Sequence, residues 1–349
     1  MKTYLVTGGA GFIGSNFVLY MLREHADLRI VNLDALTYAG NLENLKTIAE
    51  DPRHIFLKGD ICDEETVKGI FAKYDPDIVV NFAAESHVDR SITDPFVFVR
   101  SNVMGTMNLL NIARDHWRTG EDQYRAGTRF HQVSTDEVYG SLGETGLFSE
   151  TSPLDPHSPY AASKTSADMF VKAYADTFKM PVSITRCSNN YGPFQFPEKL
   201  IPLMIRNAMT GKKLPVYGDG LNVRDWIHVD DHCHGVWLAL TKGRPGAAYN
   251  FGGDAERSNI DVVKRILEIM GKPDSLIRFV KDRPGHDRRY AMDFTLAADE
   301  LGFAPKHNFE DGLAQTIAWY QQNGEWLDAI VSGAYLDFMQ EWYGRGMRL

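Results

Sequence analysis

Two short segments of the 349-residue sequence carry side chains whose types and spacing suit acid–base chemistry. Thr135, Asp136 and Glu137 directly follow an apolar run, and Tyr160 and Lys164 stand four residues apart. On a helix that spacing puts the phenol and the ammonium on one face. Two neighbouring carboxyls can divide acid and base roles when their environments separate their pKa values. The two segments therefore predict an active site that moves protons.

A glycine-rich turn near the start of the chain predicts a dinucleotide site. An apolar run at residues 4–7 leads into Gly8, Gly11 and Gly14, and a helical pattern follows. Backbone without Cβ atoms can approach a pyrophosphate, and the helix N-terminus offers it unpaired N–H groups. The same glycines could form a tight turn without a ligand, but Asp34 ends the next strand 20 residues past Gly14, as in dinucleotide-binding units. Because a carboxylate there accepts hydrogen bonds from a ribose diol and repels a 2′-phosphate, the sequence favours NAD over NADP.

Six apolar, β-rich runs define the elements that must position these residues. They cover residues 4–7, 29–33, 55–58, 78–82, 130–134 and 182–186. Helical spacing separates them, for example at residues 13, 17, 20 and 21 and at 67, 70, 71 and 74. Strand alternating with helix predicts an α/β fold, a Rossmann-like doubly wound parallel sheet with both faces covered. Ligands bind at the carboxyl ends of such strands, so residues 135–137 are expected at the edge of a cleft.

The alternation breaks after about residue 187. Residues 191–197 are rich in glycine, proline and aromatics, and helical patterns return at 263–270 and 313–320. We predict an NAD-binding Rossmann domain of residues 1–187 with about 223–250. Residues 188–222 and 251–349 are expected to form a smaller C-terminal substrate-binding lobe.

Composition excludes several classes of protein. With 44% hydrophobic and 24% charged residues, the chain is neither disordered nor stapled by disulfides. Its 37 basic and 46 acidic residues give a net charge of −9, which repels polyanions and makes nucleic acid an unexpected partner. The apolar runs are far shorter than the ~18 residues of a membrane span. Cys62, Cys187 and Cys233 form no CxxC unit, and so sparse a set suits a reducing compartment, the cytoplasm.

A run of soft metal ligands occurs at His228, His232, Cys233 and His234. Its spacings match no zinc template, and residues two apart on a helix do not face one another. We therefore expect no metal.

The chain resembles the extended short-chain dehydrogenase/reductase superfamily, and within it the dTDP-glucose 4,6-dehydratases. The segments that carry this resemblance are residues 8–14, 84–89, 134–140, 160–164, 189–193, 196–200, 224–226 and 282–287. The glycine turn and the Tyr/Lys pair occur throughout the superfamily, whereas Asp136 and Glu137 and the run 283–286 are narrower features. Related sugar-nucleotide epimerases have small or neutral residues in place of Asp136 and Glu137.

The resemblance implies a recycled NAD cofactor and the roles of five catalytic residues. Tyr160 removes the O4 proton of the sugar while a hydride leaves C4, and Thr135 holds the same oxygen in line. For Tyr160 to work at neutral pH, its pKa must fall by about three from its ordinary value near 10, and Lys164 with the nicotinamide charge is expected to lower it. Glu137 then removes the C5 proton, Asp136 protonates the departing C6 hydroxyl, and the hydride returns to C6. The two carboxyls could instead be a turn cap and a solvated loop residue.

The predicted binding residues form two sets. For the cofactor they are Gly8, Gly11, Phe12, Ile13, Gly14, Asp34, Asp60, Ile61, Ala83, Tyr160 and Lys164, with Asp60 alternatively a helix cap. For dTDP-glucose the resemblance implies Ser86, His87, Asn189, Lys199, Arg224, Asn259, Arg283, His286 and Tyr343. Arginine grips phosphate oxygens with paired hydrogen bonds, although each could be a surface ion-pair partner. His87 could be a structural hydrogen bonder, and Tyr343 could pack the last helix.

Several alternatives stay open. The same residues suit an NAD-dependent sugar-nucleotide 4-epimerase, a dehydratase for another nucleoside diphosphate glucose, or a catalytically silent NAD-binding protein. Nothing in the residues excludes uridine in place of thymidine. The resemblance further implies a homodimer packed through two helices per subunit, one of them bearing Tyr160.

Overall fold

The computed structural model describes residues 1–330. Its strands are β1 (Lys2–Thr7), β2 (Leu28–Asp34), β3 (His54–Lys58), β4 (Ile78–Asn81), β5 (Arg118–Gly120), β6 (Gln123–Tyr124), β7 (Arg129–Thr135), β8 (Val182–Cys187), β9 (Asn189–Tyr191), β10 (Leu214–Tyr217), β11 (Val223–His228), β12 (Ala248–Phe251), β13 (Glu256–Ser258) and β14 (Ile277–Val280).

The α-helices are α1 (Phe12–Glu24), α2 (Glu64–Tyr74), α3 (Val88–Thr93), α4 (Pro95–Phe98), α5 (Gly105–Trp117), α6 (Pro159–Phe178), α7 (Leu200–Met209), α8 (Val229–Lys242), α9 (Asn259–Ile269), α10 (Thr295–Leu301), α11 (Phe309–Gln322) and α12 (Gly324–Ile330). A π-helical segment (Val99–Met104) joins α4 to α5, and 3₁₀ turns cover Leu42–Ile48, Asp136–Tyr139 and Asp274–Leu276.

Seven strands form one parallel sheet in the order β3-β2-β1-β4-β7-β8-β12. All six strands that the sequence predicts lie in it, which confirms the doubly wound α/β fold. The seventh, β12, extends the β8 edge and has no counterpart among the predicted runs. The order reverses between β1 and β4, and at such a switch point the carboxyl ends of the strands leave a crevice for a ligand.

Helices cover both faces of the sheet, as its apolar strands require. On one face, Val67 of α2, Leu109 of α5 and Val171 of α6 are fully buried in one cluster. On the other, Phe17 of α1 packs in a cluster with Val236 of α8.

The remaining described elements build a smaller layer. Helices α7, α9 and α11 share a core that contains Leu203, Val263 and Leu313. Two small sheets, β10-β14 and β13-β11-β9, lie beside it. A fourth cluster joins Phe251 of β12 to Phe303 just after α10.

Helix α6 sets the direction of the Tyr160 and Lys164 side chains. Ser158 caps the helix by accepting from the Ala161 amide, and Pro159 occupies the first turn, where its missing N–H costs nothing. The helix ends at Phe178, and the next residue, Lys179, caps it with a left-handed φ of +55°. In residues 1–330 no helix is both long and apolar enough to span a bilayer.

Candidate active site

A cavity of about 470 Å³ opens at the carboxyl edge of the parallel sheet. It brings together seventeen of the predicted site residues: Gly8, Gly11, Phe12, Ile13, Gly14, Asp34, Asp60, Ile61, Ala83, Ser86, Thr135, Asp136, Glu137, Tyr160, Lys164, Asn189 and Lys199. These residues come from α1, β2, β7, β9, α6 and the segments that follow β1, β3, β4, β7 and β9.

The glycine turn is built from close backbone contacts. Gly8 has a φ of +70°, and a Cβ atom on it would lie 2.6 Å from the Ala83 nitrogen. A Cβ on Gly14 would lie 2.2 Å from the Gly8 carbonyl oxygen, so the first turn of α1 can pack on the turn only without a side chain. A Cβ on Gly11 would meet only that carbonyl, at 3.3 Å, and its other side faces the cavity.

Asp34 stands at the end of β2 beside this turn. Its Oδ2 accepts from the Ala10 amide at 2.9 Å and its Oδ1 from the Leu36 amide at 2.8 Å. Burial raises the pKa of Asp34, and the two backbone hydrogen bonds oppose that rise. The carboxylate is therefore held by backbone donors at the cavity wall.

Asp60 is not the cap of α2; Asp63 is, accepting from the Glu65 and Thr66 amides. Asp60 instead accepts from the Cys62 amide at 2.8 Å and from Arg100 Nη2 at 3.0 Å. Both partners line the cavity, which leaves Asp60 as part of its wall rather than of a helix end.

The carboxyls at the catalytic end sit on the 3₁₀ turn that follows β7. Thr135 caps the turn by accepting from the Glu137 amide at 3.3 Å, and its hydroxyl donates to Asp136 Oδ1 at 3.1 Å. Asp136 is 2% exposed, and its Oδ2 is buried without a hydrogen-bond partner in the described part of the chain. The alternative in which a carboxyl caps the turn is therefore wrong, because Thr135 is the cap. Asp136 is buried, and Glu137 is partly exposed at the cavity wall.

The two carboxyls differ in the charges around them. Burial, and then the charge of Glu137, raise the pKa of Asp136 well above its usual range. Burial also raises the pKa of Glu137, but the charges of Arg283, Lys199 and Arg224 oppose it. Asp136 therefore keeps its proton more firmly than Glu137, the separation expected of an acid beside a base.

Tyr160 and Lys164 both reach the cavity from α6. Burial, and then the charge of Glu137, raise the pKa of Tyr160 well above its usual range, while a hydrogen bond with Thr135 lowers it. Lys164 Nζ donates to the Val133 carbonyl at 2.7 Å, and burial lowers the pKa of this ammonium. The expectation that Lys164 lowers the pKa of Tyr160 is thus not met in the chain by itself, because burial dominates at both groups.

Three further predicted substrate residues, Arg224, Arg283 and His286, lie outside the cavity lining, and the charges of the two arginines act on Glu137. Arg224 is 6% exposed, donates to the Val223 and Asp287 carbonyls, and stacks over Tyr290 at 4.4 Å. Arg283 lies 3.5 Å from Asp89, and His286 lies 2.6 Å from Asp282. Burial, and then the charges of Arg283 and Arg224, lower the pKa of His286 to about 4. The three residues therefore form one cluster of cations and a neutral imidazole.

The other predicted substrate residues divide by environment. Lys199 Nζ donates to the Ser86 carbonyl at 2.7 Å, which places both at the cavity wall. Asn189 lines the cavity with a buried Oδ1 that has no hydrogen-bond partner in residues 1–330. His87 caps α3 by accepting from the Arg90 amide at 3.3 Å, a structural role, and does not line the cavity.

Two predicted residues add little to the geometry. Asn259 begins α9 outside the cavity lining, and its buried Oδ1 also has no partner among the described side chains and backbone. Tyr343 lies outside the described residues.

Sequence reasoning missed several residues of the cavity wall. Glu198 is 5% exposed, lies 3.4 Å from Arg90, and stands next to Lys199. Cys187 ends β8 opposite Thr135. Glu198 belongs to the segment 196–200 that carries the family resemblance, and Cys187 lies just before the segment 189–193. Burial of their polar atoms distinguishes these residues, and only the fold reveals that burial.

The histidine-rich segment does not converge on one point. His232 Nδ1 lies 2.9 Å from Asn190 Oδ1, His234 Nδ1 lies 2.9 Å from Tyr20 OH, and Cys233 is buried against α1. His228, Asp230 and His307 do offer ligand atoms within 4.8 Å of one another. The rings of His228 and His307, however, are stacked 4.1 Å apart at 24°, so one ion could not lie in both ring planes.

Comparisons with known proteins agree with this geometry. The family model described as GDP-mannose 4,6 dehydratase matches residues 5–316. The dTDP-glucose 4,6-dehydratase of Xanthomonas campestris pv. campestris (strain B100) is 53% identical, over 96% of this chain and 97% of that protein. The crystal structure of the Bacillus anthracis dTDP-glucose 4,6-dehydratase in complex with NAD is 49% identical with a TM-score of 0.87, and the alignment covers 95% of this chain and 100% of that one. The Streptomyces venezuelae dTDP-glucose 4,6-dehydratase with NAD and TYD bound is 48% identical with a TM-score of 0.88, covering 94% and 99%.

Proposed function

The chain belongs to the dTDP-glucose 4,6-dehydratases of the extended short-chain dehydrogenase/reductase superfamily, and we propose that it converts dTDP-glucose into dTDP-4-keto-6-deoxyglucose and water. Relatives about half identical over nearly the whole chain favour this reaction over 4-epimerisation. The roles of individual residues are argued below from the cavity.

The cofactor end of the cavity fits NAD. Gly8, Gly11 and Gly14 leave a cradle that side chains would fill, and beside it stands Asp34, whose carboxylate would repel a 2′-phosphate. NAD, when bound, accepts the hydride from C4, adds a positive charge to the cavity that Tyr160 lines, and returns the hydride to C6. The pyrophosphate would lie against the glycine turn, where the unpaired N–H groups of α1 favour negative charge.

Tyr160 is the base for the first step. The phenol oxygen of Tyr160 takes the O4 proton as C4 is oxidised. The hydroxyl of Thr135, which hydrogen-bonds Tyr160, also holds the sugar O4. Because burial keeps Tyr160 protonated in the chain by itself, the cationic cofactor is what makes the tyrosinate accessible. Lys164 contributes by anchoring α6 to the Val133 carbonyl and by adding positive charge to this end of the cavity.

Glu137 and Asp136 carry out the elimination. Once C4 is a ketone, the C5 proton is acidic and the Glu137 carboxylate removes it. Asp136, whose pKa burial raises well above its usual range, still holds a proton to give to the departing C6 hydroxyl. Returning hydride to C6 and a proton to C5 leaves NAD as it began.

The cations near Glu137 suit the diphosphate of the substrate. Arg224 has backbone carbonyls as its hydrogen-bond partners, and in residues 1–330 it forms no direct ion pair with a carboxylate. Arg283 and Lys199 add positive charge, and Asn189 offers an unpaired oxygen to a sugar hydroxyl. We assign residues 1–187 and about 223–250 to NAD, and residues 188–222 and 251–349 to the nucleotide sugar.

One observation carries the proposal: a buried acid and base follow the same strand, in one cavity with Tyr160 and a glycine cradle. The test is to incubate the protein with dTDP-glucose, UDP-glucose and GDP-mannose and to weigh the products. Loss of one water from dTDP-glucose is the expected result. An unchanged mass with an altered C4 configuration would mean epimerase, and no turnover with NAD bound would mean a silent protein.

A homodimer is supported by an exposed apolar surface beside α6. Phe96 is 82% exposed and Met104 59%, and Val99 and Met169 are also exposed, all on α4, the π-helical segment and α6. Monomers rarely leave such apolar surface in water, and a second copy of the chain would cover it. Met104→Glu should convert a dimer to a monomer in sedimentation, whereas Leu147→Glu, in an exposed loop, should not. A wild-type monomer at micromolar concentration would refute the dimer.

A further inference from the structure

A buried polar network lies under the cavity. Asp168 of α6 accepts from Arg186 Nε of β8 at 2.9 Å, and the two residues are 0% and 5% exposed. Removing two charges from water is expensive, and apolar side chains of similar volume often serve stability equally well. A pair kept in so buried a place therefore points to a role in fixing geometry.

The pair continues to the turn that carries the catalytic carboxyls. Arg186 Nη1 donates to the Tyr139 hydroxyl at 2.8 Å, and the arginine also stacks over that ring at 5.0 Å. The Tyr139 hydroxyl in turn donates to Asn250 Oδ1 at 2.8 Å. Both hydrogen-bonding directions of this hydroxyl are therefore used, and Tyr139 is 3% exposed.

The network connects the helix that carries Tyr160 to the turn that carries the catalytic carboxyls. Asp168 lies one helical turn beyond Lys164 and two beyond Tyr160 on the same face of α6. Tyr139 is the last residue of the 3₁₀ turn that begins at Asp136. None of the three network side chains lines the cavity, so they can act only through the residues that do.

We propose that Tyr139 is a positioning residue for the elimination step. Through Arg186 and Asp168, Tyr139 fixes the position of the 3₁₀ turn that carries Glu137 relative to α6, which carries Tyr160. The proton of C5 is then within reach of its base while the sugar stays where C4 was oxidised. This inference rests on the proposed dehydratase function.

The test compares two variants that each lose one tyrosine hydroxyl bonded to the framework. Tyr139→Phe removes the link between Arg186 and the turn. Tyr124→Phe is the matched control, because the Tyr124 hydroxyl donates at 2.8 Å to the Phe178 carbonyl at the far end of α6. Each purified full-length protein is loaded with NAD and mixed with excess dTDP-glucose. The reaction is followed by the near-ultraviolet absorbance of reduced nicotinamide and by the mass of the product.

The elimination in Tyr139→Phe should slow by roughly ten- to a hundredfold, since small misplacements of a reacting group have effects of that size. Oxidation of C4 should be nearly unchanged, so reduced nicotinamide should accumulate in Tyr139→Phe and not in wild type or Tyr124→Phe. The apparent KM and NAD affinity should stay close to wild type. If both steps slow together, or if the two variants behave alike, Tyr139 has only a structural role and the proposal is wrong.

A second variant keeps the test decisive if Tyr139→Phe does not fold. Arg186→Lys retains the charge beside Asp168 but cannot also reach Tyr139, so it should show the same accumulation. Turnover in Arg186→Lys at the wild-type rate would overturn the proposal. The wild-type protein, measured in parallel, distinguishes failure of the role of Tyr139 from failure of the proposed function. If the wild type removes no water from dTDP-glucose, the proposed function itself is wrong.

Discussion

The cofactor end of the cavity is formed mainly by closely packed backbone, whereas the catalytic end is formed by titratable side chains. Gly8 and Gly14 allow contacts that no side chain would permit, and Asp34 is held by two amides. At the other end, Asp136 and Glu137 are titratable groups whose buried surroundings raise their pKa values. Both oxygens of Asp34 in the first region accept from backbone amides, while the second region contains an oxygen, Asp136 Oδ2, that has no hydrogen-bond partner in residues 1–330.

The difference indicates what each region contributes. A change in the shape of the backbone cradle should lower the affinity for NAD. It should not slow the chemistry directly, since no side chain in the cradle moves a proton. A cluster of buried acids and a phenol loses rate when one group is replaced, because each holds a proton at a different stage. Substitutions at the two ends should therefore separate binding from chemistry.

The largest effect is expected at Tyr160. Tyr160→Phe removes the base of the first step, so turnover should fall by about 10³-fold or more, within the range for general base catalysis. NAD should remain bound, because the glycine cradle is untouched. The measurement is product formation alongside NAD affinity from calorimetry. Loss of NAD binding in this variant would contradict the separation of the two ends.

Glu137→Gln should lower turnover by about 10²- to 10³-fold while sparing the oxidation of C4. Reduced nicotinamide should therefore accumulate when dTDP-glucose is added, which absorbance will show. Asp136→Asn is the companion variant, since an amide cannot donate the proton that the C6 hydroxyl needs. Turnover of Glu137→Gln at the wild-type rate would make the base assignment wrong.

At the cofactor end, Gly14→Ala should reduce NAD affinity by roughly ten- to a hundredfold and lower the melting temperature, because forcing a methyl into a packed site costs about 1–3 kcal/mol. The new Cβ would lie 2.2 Å from the Gly8 carbonyl, a backbone atom that cannot rotate away. Gly143→Ala, with no atom within 4 Å of the added Cβ, is the matched control and should change neither value. Elimination in NAD-saturated Gly14→Ala should run at the wild-type rate, and a slower rate would show that the two ends are coupled.

The same contrast explains how much the sequence predicts. The glycine turn and its strand–helix setting are contiguous, so local spacing is enough to place Gly8 to Gly14. The six strands of continuous apolar residues are found for the same reason. β4, which also has four residues and one polar residue, Asn81, is found within the strand–helix alternation, whereas β12 lies after that alternation breaks and is missed. Its place beside β8 depends on pairing with a strand more than 60 residues away.

Side-chain surroundings are what the sequence leaves undetermined. Lys164 is correctly expected in the cavity, but its bond to the Val133 carbonyl crosses 31 residues of chain. The link from Arg186 to Tyr139 crosses 47. Burial, which only the fold reveals, raises the pKa of Tyr160, whereas the charges of Lys164 and the nicotinamide are expected to lower it.

The smallest effect concerns a buried carboxyl outside the chemistry. Asp225 of β11 accepts from the Ala255 amide at 2.9 Å, and burial raises its pKa to about 6. In the unfolded chain an aspartate loses its proton near pH 4, so between about pH 4 and 6 the folded state binds more protons. Stability from this group is therefore lost as the pH rises through that window, by at most about 3 kcal/mol. Asp225→Asn, which cannot ionise, should flatten this decline in urea unfolding measured from pH 4 to 7, whereas Asp27→Asn at an 87% exposed site should not. An unchanged decline in Asp225→Asn would show that other groups cause it and that the pKa of Asp225 is not raised.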